Sequence, residues 1–507
     1  MRVTNQMITN TSMYNINRNK NSLSLLEQQY SSGKKIQRPS EDPIIAVRAL
    51  KLRTNLSELN QYYEKNIPDA KSWMDVTESA LVNINTILTK VNTSFVQGAN
   101  DTLTPADRTS IMENLIEYKK QIYQEGNSNY AGRYVFTGYK TDKSLVFTEN
   151  STDLHYNISE SFTGKQVETI SKVVGDYQVE DYDSNNTANN DFSDAPTLTN
   201  TYRLRLSYDG LDSQPLDKIS YKKQDGTVVE IPSANTPFQI ESGAAPSITN
   251  PVSKNHPDAY RPAADSVHFI AETGELILGE NVYNELRLAE SIDLSYDKSK
   301  FSEGDLRPEH YFTSKATNQY NEVFEYTKTN QEIEYEINFN QKITVNTQGS
   351  DAISHGIARD INEVENAVNE VVETENKISE VNKMLEDKNI NTTQREQLNQ
   401  LKAQLETELV LKNKLLQDKF EAGIAGSVKY QDNLNTSISD LGSRYVRLEL
   451  TEDRLSTQQV DFEELLSSNE DADIVETYIK LSSREVIYNA SLSAASKIVK
   501  STLLDFI

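Results

Sequence analysis

Five histidines, His155, His256, His268, His310 and His355, are the residues in this 507-residue chain best suited to acid–base or metal chemistry. None lies three or four positions from another, and no H-E-x-x-H occurs, so the spacing that sets two imidazoles on one helix face around zinc is missing. Cysteine is absent, which removes disulfides, thiolate metal sites and a cysteine nucleophile. No phosphate-binding Walker loop, dinucleotide-binding G-x-G-x-x-G after a strand, or G-x-S-x-G elbow is present. Carboxylate pairs such as Glu334 and Glu336 abound, but among 76 acidic and 51 basic residues they read as solvated surface. No catalytic residue, cofactor or metal is predicted. What remains is packing.

The net charge of −25 argues against nucleic acid as a partner, because phosphate binding needs a basic footprint. The charge is uneven. Residues 1–50 hold seven Lys/Arg and three Asp/Glu, whereas residues 151–350 hold 16 and 32. No apolar run approaches the length of a bilayer span, so no membrane insertion is predicted. The N-terminal residues Met1–Gln6 continue into polar sequence without the apolar stretch of a secretory signal. The chain therefore stays in the cytosol or leaves by a route that reads no such signal.

The elements that must do the packing show in the periodicity. Leu52, Leu56, Leu59, Tyr63, Asn66, Ala70, Trp73, Thr77, Ala80, Ile84, Ile87 and Val91 alternate four- and three-residue steps, a coiled-coil-like seam. Pro68, without an N–H, predicts a kink or short break in it. Thr104-Pro105-Ala106-Asp107 reads as a helix start with Thr104 at the N-cap. Tyr134-Val135-Phe136-Thr137-Gly138 reads as a strand ending in a turn, and Tyr134 and Phe136 as buried where helix gives way to strand. From there to about residue 350 the chain reads as β-rich. Asp225-Gly226 turns one hairpin and Thr273-Gly274 another, while polar residues 181–200 read as a flexible surface loop.

Helix returns at about residue 353. Residues 353–420 read as an antiparallel helical hairpin, turned at Asn389-Ile390-Asn391, with a capping box at Thr393–Glu396. The seam resumes at Leu441, Tyr445, Leu448, Glu452, Leu455, Gln459, Phe462 and Leu466. A polar break is predicted at Ser467–Asp471. A last helix then carries Ile474, Tyr478, Leu481, Glu485, Tyr488, Leu492, Ala495, Val499, Thr502 and Phe506. Long amphipathic helices at both ends must bury their stripes on each other or on another molecule. Gly442, costly inside a helix by about 1 kcal/mol, reads either as a point of close helix approach or as a tolerated kink.

Four stretches resemble the flagellin superfamily and, within it, the hook-associated proteins of the hook–filament junction, the FlgL type. They are Leu25–Ile36 with Arg38-Pro39-Ser40-Glu41-Asp42-Pro43; Glu78–Leu81; Asn129–Gly138; and Leu441–Glu449 with Tyr488–Leu492 and Leu503–Phe506. The resemblance covers residues 1–140 and 430–507. Gly304–Pro308 and Ile343–Thr347 also look like segments of junction proteins. It implies packing or assembly roles for Pro39, Ser40, Asp42, Pro43, Tyr130, Gly132, Tyr134, Phe136, Gly138, Gly442, Arg444, Leu448, Tyr488, Leu492, Ala495, Val499, Leu503 and Phe506. Pro39 and Pro43 would fix the loop after the first helix or mark an ordinary turn.

The resemblance further implies an extracellular part of the bacterial flagellum, exported by a type III route without a cleaved signal peptide. Its implied partners are further copies of itself in a ring-like homo-oligomer, a neighbouring hook-associated protein, flagellin, and a cytosolic export chaperone. The predicted fold is a multi-domain, elongated α+β chain: paired N- and C-terminal coiled-coil-like helices, an inserted β-rich domain and a helical hairpin. Expected boundaries are 1–45 (N-terminal inner-core helix), 46–140 and 426–470 (halves of a helical core domain), 141–350 (outward β-rich domain), 351–425 (hairpin) and 471–507 (C-terminal inner-core helix). The expected function is a non-enzymatic junction subunit. The alternatives are a filament-forming flagellin and an enzyme domain carried on a flagellin-like scaffold in residues 141–350.

Overall fold

The structure is a computed structural model that describes residues 5–100, 103–183, 190–234, 246–249, 251–387 and 389–504; side chains at Asn5, Pro105, Ala234 and 498–504 are not among those described. The chain is α+β. It divides into two compact units, one made of residues 1–71, 335–343 and 446–507, the other of 72–334 and 344–445.

The first unit is helical. Helix α1 (Asn5–Ser32) ends at Gly33, whose φ of +68° supplies the left-handed turn that an L side chain resists. Helix α2 (Pro43–Gln61) is capped by Asp42, whose carboxylate accepts from the N–H of Ile44 at 2.9 Å and of Ile45 at 3.2 Å. No break follows at Pro68. A π-turn (Tyr62–Asn66) joins α2 to α3 (Ile67–Gly98), with the Ile67 N–H bonded to the Tyr62 carbonyl. The extra residue per turn moves the carbonyls that the Pro68 ring would strike and for which it has no donor.

Residues 446–470 of α9 (Thr392–Glu470) run antiparallel to α2, with Gln459 bonded to Asn60 at 3.1 Å and Asn469 to the Ile45 carbonyl at 3.1 Å. The helix continues through Ser467–Glu470, where a polar break is predicted, because Ser467 and Ser468 are tolerated on an exposed helix face. Helix α10 (Ile474–Leu504) then turns back along α1. A short hairpin, β14 (Glu334–Asn338) and β15 (Gln341–Thr344), lies against this unit through Asn66 to the Glu336 carbonyl at 2.8 Å.

The second unit joins helices to a sheet. Helix α4 (Pro105–Glu125) begins with the predicted N-cap: Thr104 Oγ1 accepts from Asp107 N–H and the Asp107 carboxylate accepts from Thr104 N–H. The predicted strand at Tyr134–Gly138 is shorter than expected. A tight hairpin, β1 (Asn129–Tyr130) and β2 (Arg133–Tyr134), turns at Ala131-Gly132 with φ of +50° and +80°, and Val135–Gly138 follows as turns.

Among the described residues the sheet has eleven strands in the order β13-β12-β3-β11-β6-β7-β8-β9-β10-β5-β4. They are β3 (Leu154–Phe162), β4 (Val167–Val174), β5 (Thr197–Arg205), β6 (Lys218–Lys222), β7 (Val228–Ala234), β8 (Ser247–Thr249), β9 (Ser266–Ile270), β10 (Glu275–Leu278), β11 (Ser291–Lys298), β12 (Thr313–Asn318) and β13 (Val323–Tyr326). Strand β8 pairs parallel with both neighbours, β7 and β9. Both predicted hairpins form: Lys222 pairs with Val228 across Asp225-Gly226, and Ile270 with Glu275 across Thr273-Gly274. Its main core gathers Tyr156, Ile158, Leu204, Ile219, Phe269, Leu276 and Ile292, with Val282 and Leu286 of α5 (Glu280–Leu286).

Helix α8 (His355–Glu386) and the first part of α9 form the predicted antiparallel pair. Contacts step in opposite directions along the two: Glu363 with Lys419, Thr374 with Glu408, Leu385 with Arg395. The second arm does not stop near residue 420 but belongs to the 79-residue α9. The capping box also sits two residues before Thr393, where Asn391 and Gln394 exchange N–H bonds at 2.9 and 2.8 Å. Residues 184–189 of the expected surface loop lie outside the described residues. Within the expected loop Phe192 is buried, with Val179 just before it in the chain, on Val381, Leu398, Leu401 and Leu405 of the hairpin, and Thr197–Asn200 pair in the sheet, so these parts are not free surface.

The face of β4, β5 and β10 turned toward α8 and α9 is ionic. Strand alternation sends Leu204 into the main core and Arg203 and Arg205 to the helices. Arg203, 3% exposed, pairs with Glu168, Glu275 and Glu363 at 2.8, 2.5 and 2.9 Å. Arg205 reaches Asp360 and Glu363, and Lys419 closes on Glu363 at 2.6 Å. Although burial alone would raise it, these cations, Arg203 first, hold Glu363 well below the usual carboxylate range.

Candidate assembly site

The quoted motif residues fall into three clusters, the first on the terminal helices. Helices α1 and α10 pack antiparallel: Asn19 Nδ2 donates to Ser491 Oγ at 3.0 Å, and the Tyr30 and Tyr478 rings lie 5.8 Å apart. The seam is narrow and half polar. On α1 it holds Ser12, Ile16, Asn19, Leu26 and Gln29; on α10 it holds Thr477, Leu481, Tyr488, Ser491 and Ala495. Of the expected stripe, Tyr488 and Ala495 are half-buried, while Leu492 is exposed. Phe506 lies outside the described residues, as do the side chains of Val499 and Leu503.

Periodicity alone missed how much apolar surface stays uncovered. Met7, Met13, Tyr14 and Leu25 on α1, and Ile474, Val475, Ile479 and Val486 on α10, are exposed, Tyr14 and Val475 by 68% and 70%. The signal was available: α10 carries apolar residues on more than the seam face, the mark of a helix covered on several sides.

The second cluster is the loop between α1 and α2. Pro39, Ser40 and Pro43 are exposed, and Asp42 is half-buried as the α2 cap. The Gln37 N–H donates to Glu41 at 2.9 Å, tightening the loop.

The third cluster brings the Asn129–Gly138 stretch onto the long helix. Tyr130 meets the fully buried Trp73 edge-to-face at 6.1 Å, and the Arg133 guanidinium lies 4.8 Å over the same indole. Phe136 is buried and Tyr134 half-buried. Gly132 is exposed at the hairpin turn. Gly138 has φ of +60°, and a Cβ there would strike the Gln331 side chain. Arg444 donates to the carbonyls of Thr344 at 3.0 Å and Asn346 at 2.8 Å, and to Thr347 Oγ1 at 3.0 Å. It thereby joins the Leu441–Glu449 stretch to Ile343–Thr347, a pairing that sequence spacing does not reveal. Leu448 is buried. Around Gly442 a Cβ would meet nothing within 4 Å, so no helix among the described residues approaches it closely.

Among the described residues, no group of three or more His, Asp or Glu is placed to hold a metal, and no helix is long and apolar enough to cross a membrane.

Residues 3–141 match the family model for the bacterial flagellin N-terminal helical region. Over 143 residues, 28% of this chain, the sequence is 32% identical to flagellar hook-associated protein 3 of Salmonella typhimurium and 29% identical to that of Escherichia coli. Each match spans 45% of the relative, so the chain covers about half the length of these proteins. A Clostridium tyrobutyricum flagellin is 30% identical over 128 residues, 25% of this chain and 34% of that protein. Solved structures of a hook-associated protein from Vibrio parahaemolyticus and of the junction protein FlgL from Legionella pneumophila align with 85% and 84% of this chain and all of theirs. Both are 11% identical, with TM-scores of 0.38 and 0.27. The N-terminal part of the chain is thus similar in sequence to the bacterial flagellin N-terminal helical region and to flagellar hook-associated protein 3.

Proposed function

We propose that the chain is a structural, non-enzymatic subunit of the bacterial flagellum that adapts hook to filament at their junction through packing of its terminal helices. The observation that carries this reading is the pair α1–α10, held by a narrow, half-polar seam with apolar side chains exposed on both helices. Fully burying a Leu, Ile, Met or Val contributes about 1.5–3 kcal/mol, and these half-exposed side chains about 1 kcal/mol each. The exposed set therefore supplies on the order of 10 kcal/mol, comparable with the roughly 4–15 kcal/mol lost in translational and rotational freedom. One contact comes out near break-even. In a ring each copy divides this surface between two neighbours.

In this reading the terminal helices form the inner core and residues 141–350 face outward. A neighbouring hook-associated protein and flagellin flank the ring. A cytosolic chaperone covers the C-terminal helix until type III export delivers the chain outside the cell. The match to a Clostridium flagellin favours a second reading, a filament subunit. Antibody labelling of intact flagella separates them. A single band where hook meets filament supports the junction; label along the filament makes the chain a flagellin; absence of label from flagella sinks both.

A further inference from the structure

Two chain crossings link the helix pair α1–α10 to α2 and α9: the loop 33–42 and the short segment 471–473. They run side by side. The Lys35 N–H donates to the Glu470 carbonyl at 2.7 Å, and the Ala472 N–H to the Gly33 carbonyl at 2.8 Å. Glu470, the last residue of α9, is 6% exposed. One of its oxygens, Oε2, receives Arg53 Nη2 from α2 at 2.6 Å and Lys34 Nζ from the loop at 3.4 Å. Lys34 also reaches Asp471 Oδ1 at 2.5 Å. Oε1 is buried and, among the described residues, has no hydrogen-bond donor, so the two cations on Oε2 are the carboxylate's charge partners there.

We propose that Glu470 is a positioning residue, an ionic clasp that gathers both crossings and sets the angle at which α1–α10 is presented. It rests on the reading of that pair as the polymer-facing surface, where every copy in a ring needs the same angle. Without the clasp, the two linkers, one holding the left-handed Gly33, keep their backbone bonds and the Lys34–Asp471 pair but lose the tie to α2 through Arg53. The charges respond asymmetrically to substitution. Lys34 and Arg53 are about half exposed, so losing Glu470 leaves them hydrated at little cost. Losing both cations strands a buried carboxylate, which is far costlier. An ordinary surface pair would respond weakly to both changes.

The test is hydrogen exchange on the full chain, read at peptides containing the Lys35 and Ala472 amides. In Glu470→Gln these amides are expected to exchange about tenfold faster, with residues 80–91 unchanged, which reports local opening rather than unfolding. The double variant Lys34→Met/Arg53→Met is expected to exchange faster still. Unprotected wild-type amides, or protection unchanged in both variants, would overturn the clasp. Flagellar labelling judges the junction reading separately: a charge-sensitive clasp without a junction band overturns that reading alone, and a junction band with insensitive amides overturns the clasp alone.

Discussion

Gly442 and Gly423 lie on the same helix, α9, and replacing each with alanine is expected to move stability in opposite directions. A Cβ at Gly442 meets nothing within 4 Å. Alanine there gains the helix preference over glycine, about 1 kcal/mol, or about fivefold in the folding equilibrium. At Gly423 the added Cβ lies 2.7 Å from Cε1 of Phe95, whose ring packs edge-to-face on Phe420 at 6.4 Å. Overpacking of that kind costs about 1–3 kcal/mol and outweighs the helix gain. Urea unfolding followed by circular dichroism reads both, with hydrogen exchange at residues 439–445 as the local check. A stabilised Gly442→Ala chain that no longer assembles would identify a neighbouring copy packed against this glycine; one that assembles normally would mark it as merely tolerated. Destabilisation of the free chain by Gly442→Ala, or shifts of the same sign at both sites, would refute the reasoning.

Trp73, the sole tryptophan, is fully buried under Tyr130 and Arg133, so Trp73→Ala is expected to cost about 3–5 kcal/mol by denaturant titration. Glu363→Gln removes the carboxylate shared by Arg203, Arg205 and Lys419 and is expected to cost on the order of 3 kcal/mol, read by the urea midpoint. Burial among Tyr208, Tyr311 and Phe312 pushes the His355 imidazole down to about 3, with Lys328 and Arg359 adding to the effect. A depressed histidine lets the unfolded chain take up the proton first. Its contribution is therefore complete above about pH 6.5 and falls by about 1.4 kcal/mol per unit as pH drops toward 3. Asp305 and Asp360, raised by burial, act in the opposite sense, so the measurement is the difference between wild type and His355→Phe. The variant's stability should fall less between pH 6.5 and 4.5.

The long seam was readable because it obeys one local rule. From Ala70 to Val91 every position of the four-three series is buried, since a helix with one apolar stripe has one way to bury it. The Thr104 cap and the two hairpin turns were readable for the same reason: their partners sit within a few residues. Pro68 announced a disturbance but not its form, because a break and a π-turn both accommodate a missing N–H. At the hairpin tip two boxes competed, and Asn391 with Gln394 prevailed over Thr393 with Glu396. The ionic layer was illegible. Nothing near Glu363 or Glu275 in sequence separates them from the chain's many solvated acids; only the pairing of distant strands and helices does. In the candidate site, spacing gave a stripe on α10 of which Leu481, Tyr488 and Ala495 lie in the seam while Ile474, Tyr478 and Leu492 are exposed, and it gave no stripe on α1 and no sign of Arg444 meeting Thr344–Thr347.

The charged layer between sheet and helices bears on the order in which the second unit forms. Strands β3 to β13 come from one continuous stretch of chain, so the sheet can close before α8 and α9 arrive. On the side awaiting those helices it then shows water Arg203, Arg205, Lys172 and Glu275 instead of an oily face. Such an intermediate resists the sticking that traps half-formed sheets. Docking of the helices becomes a late step guided by charge, and added salt should slow that step while leaving closure of the sheet untouched.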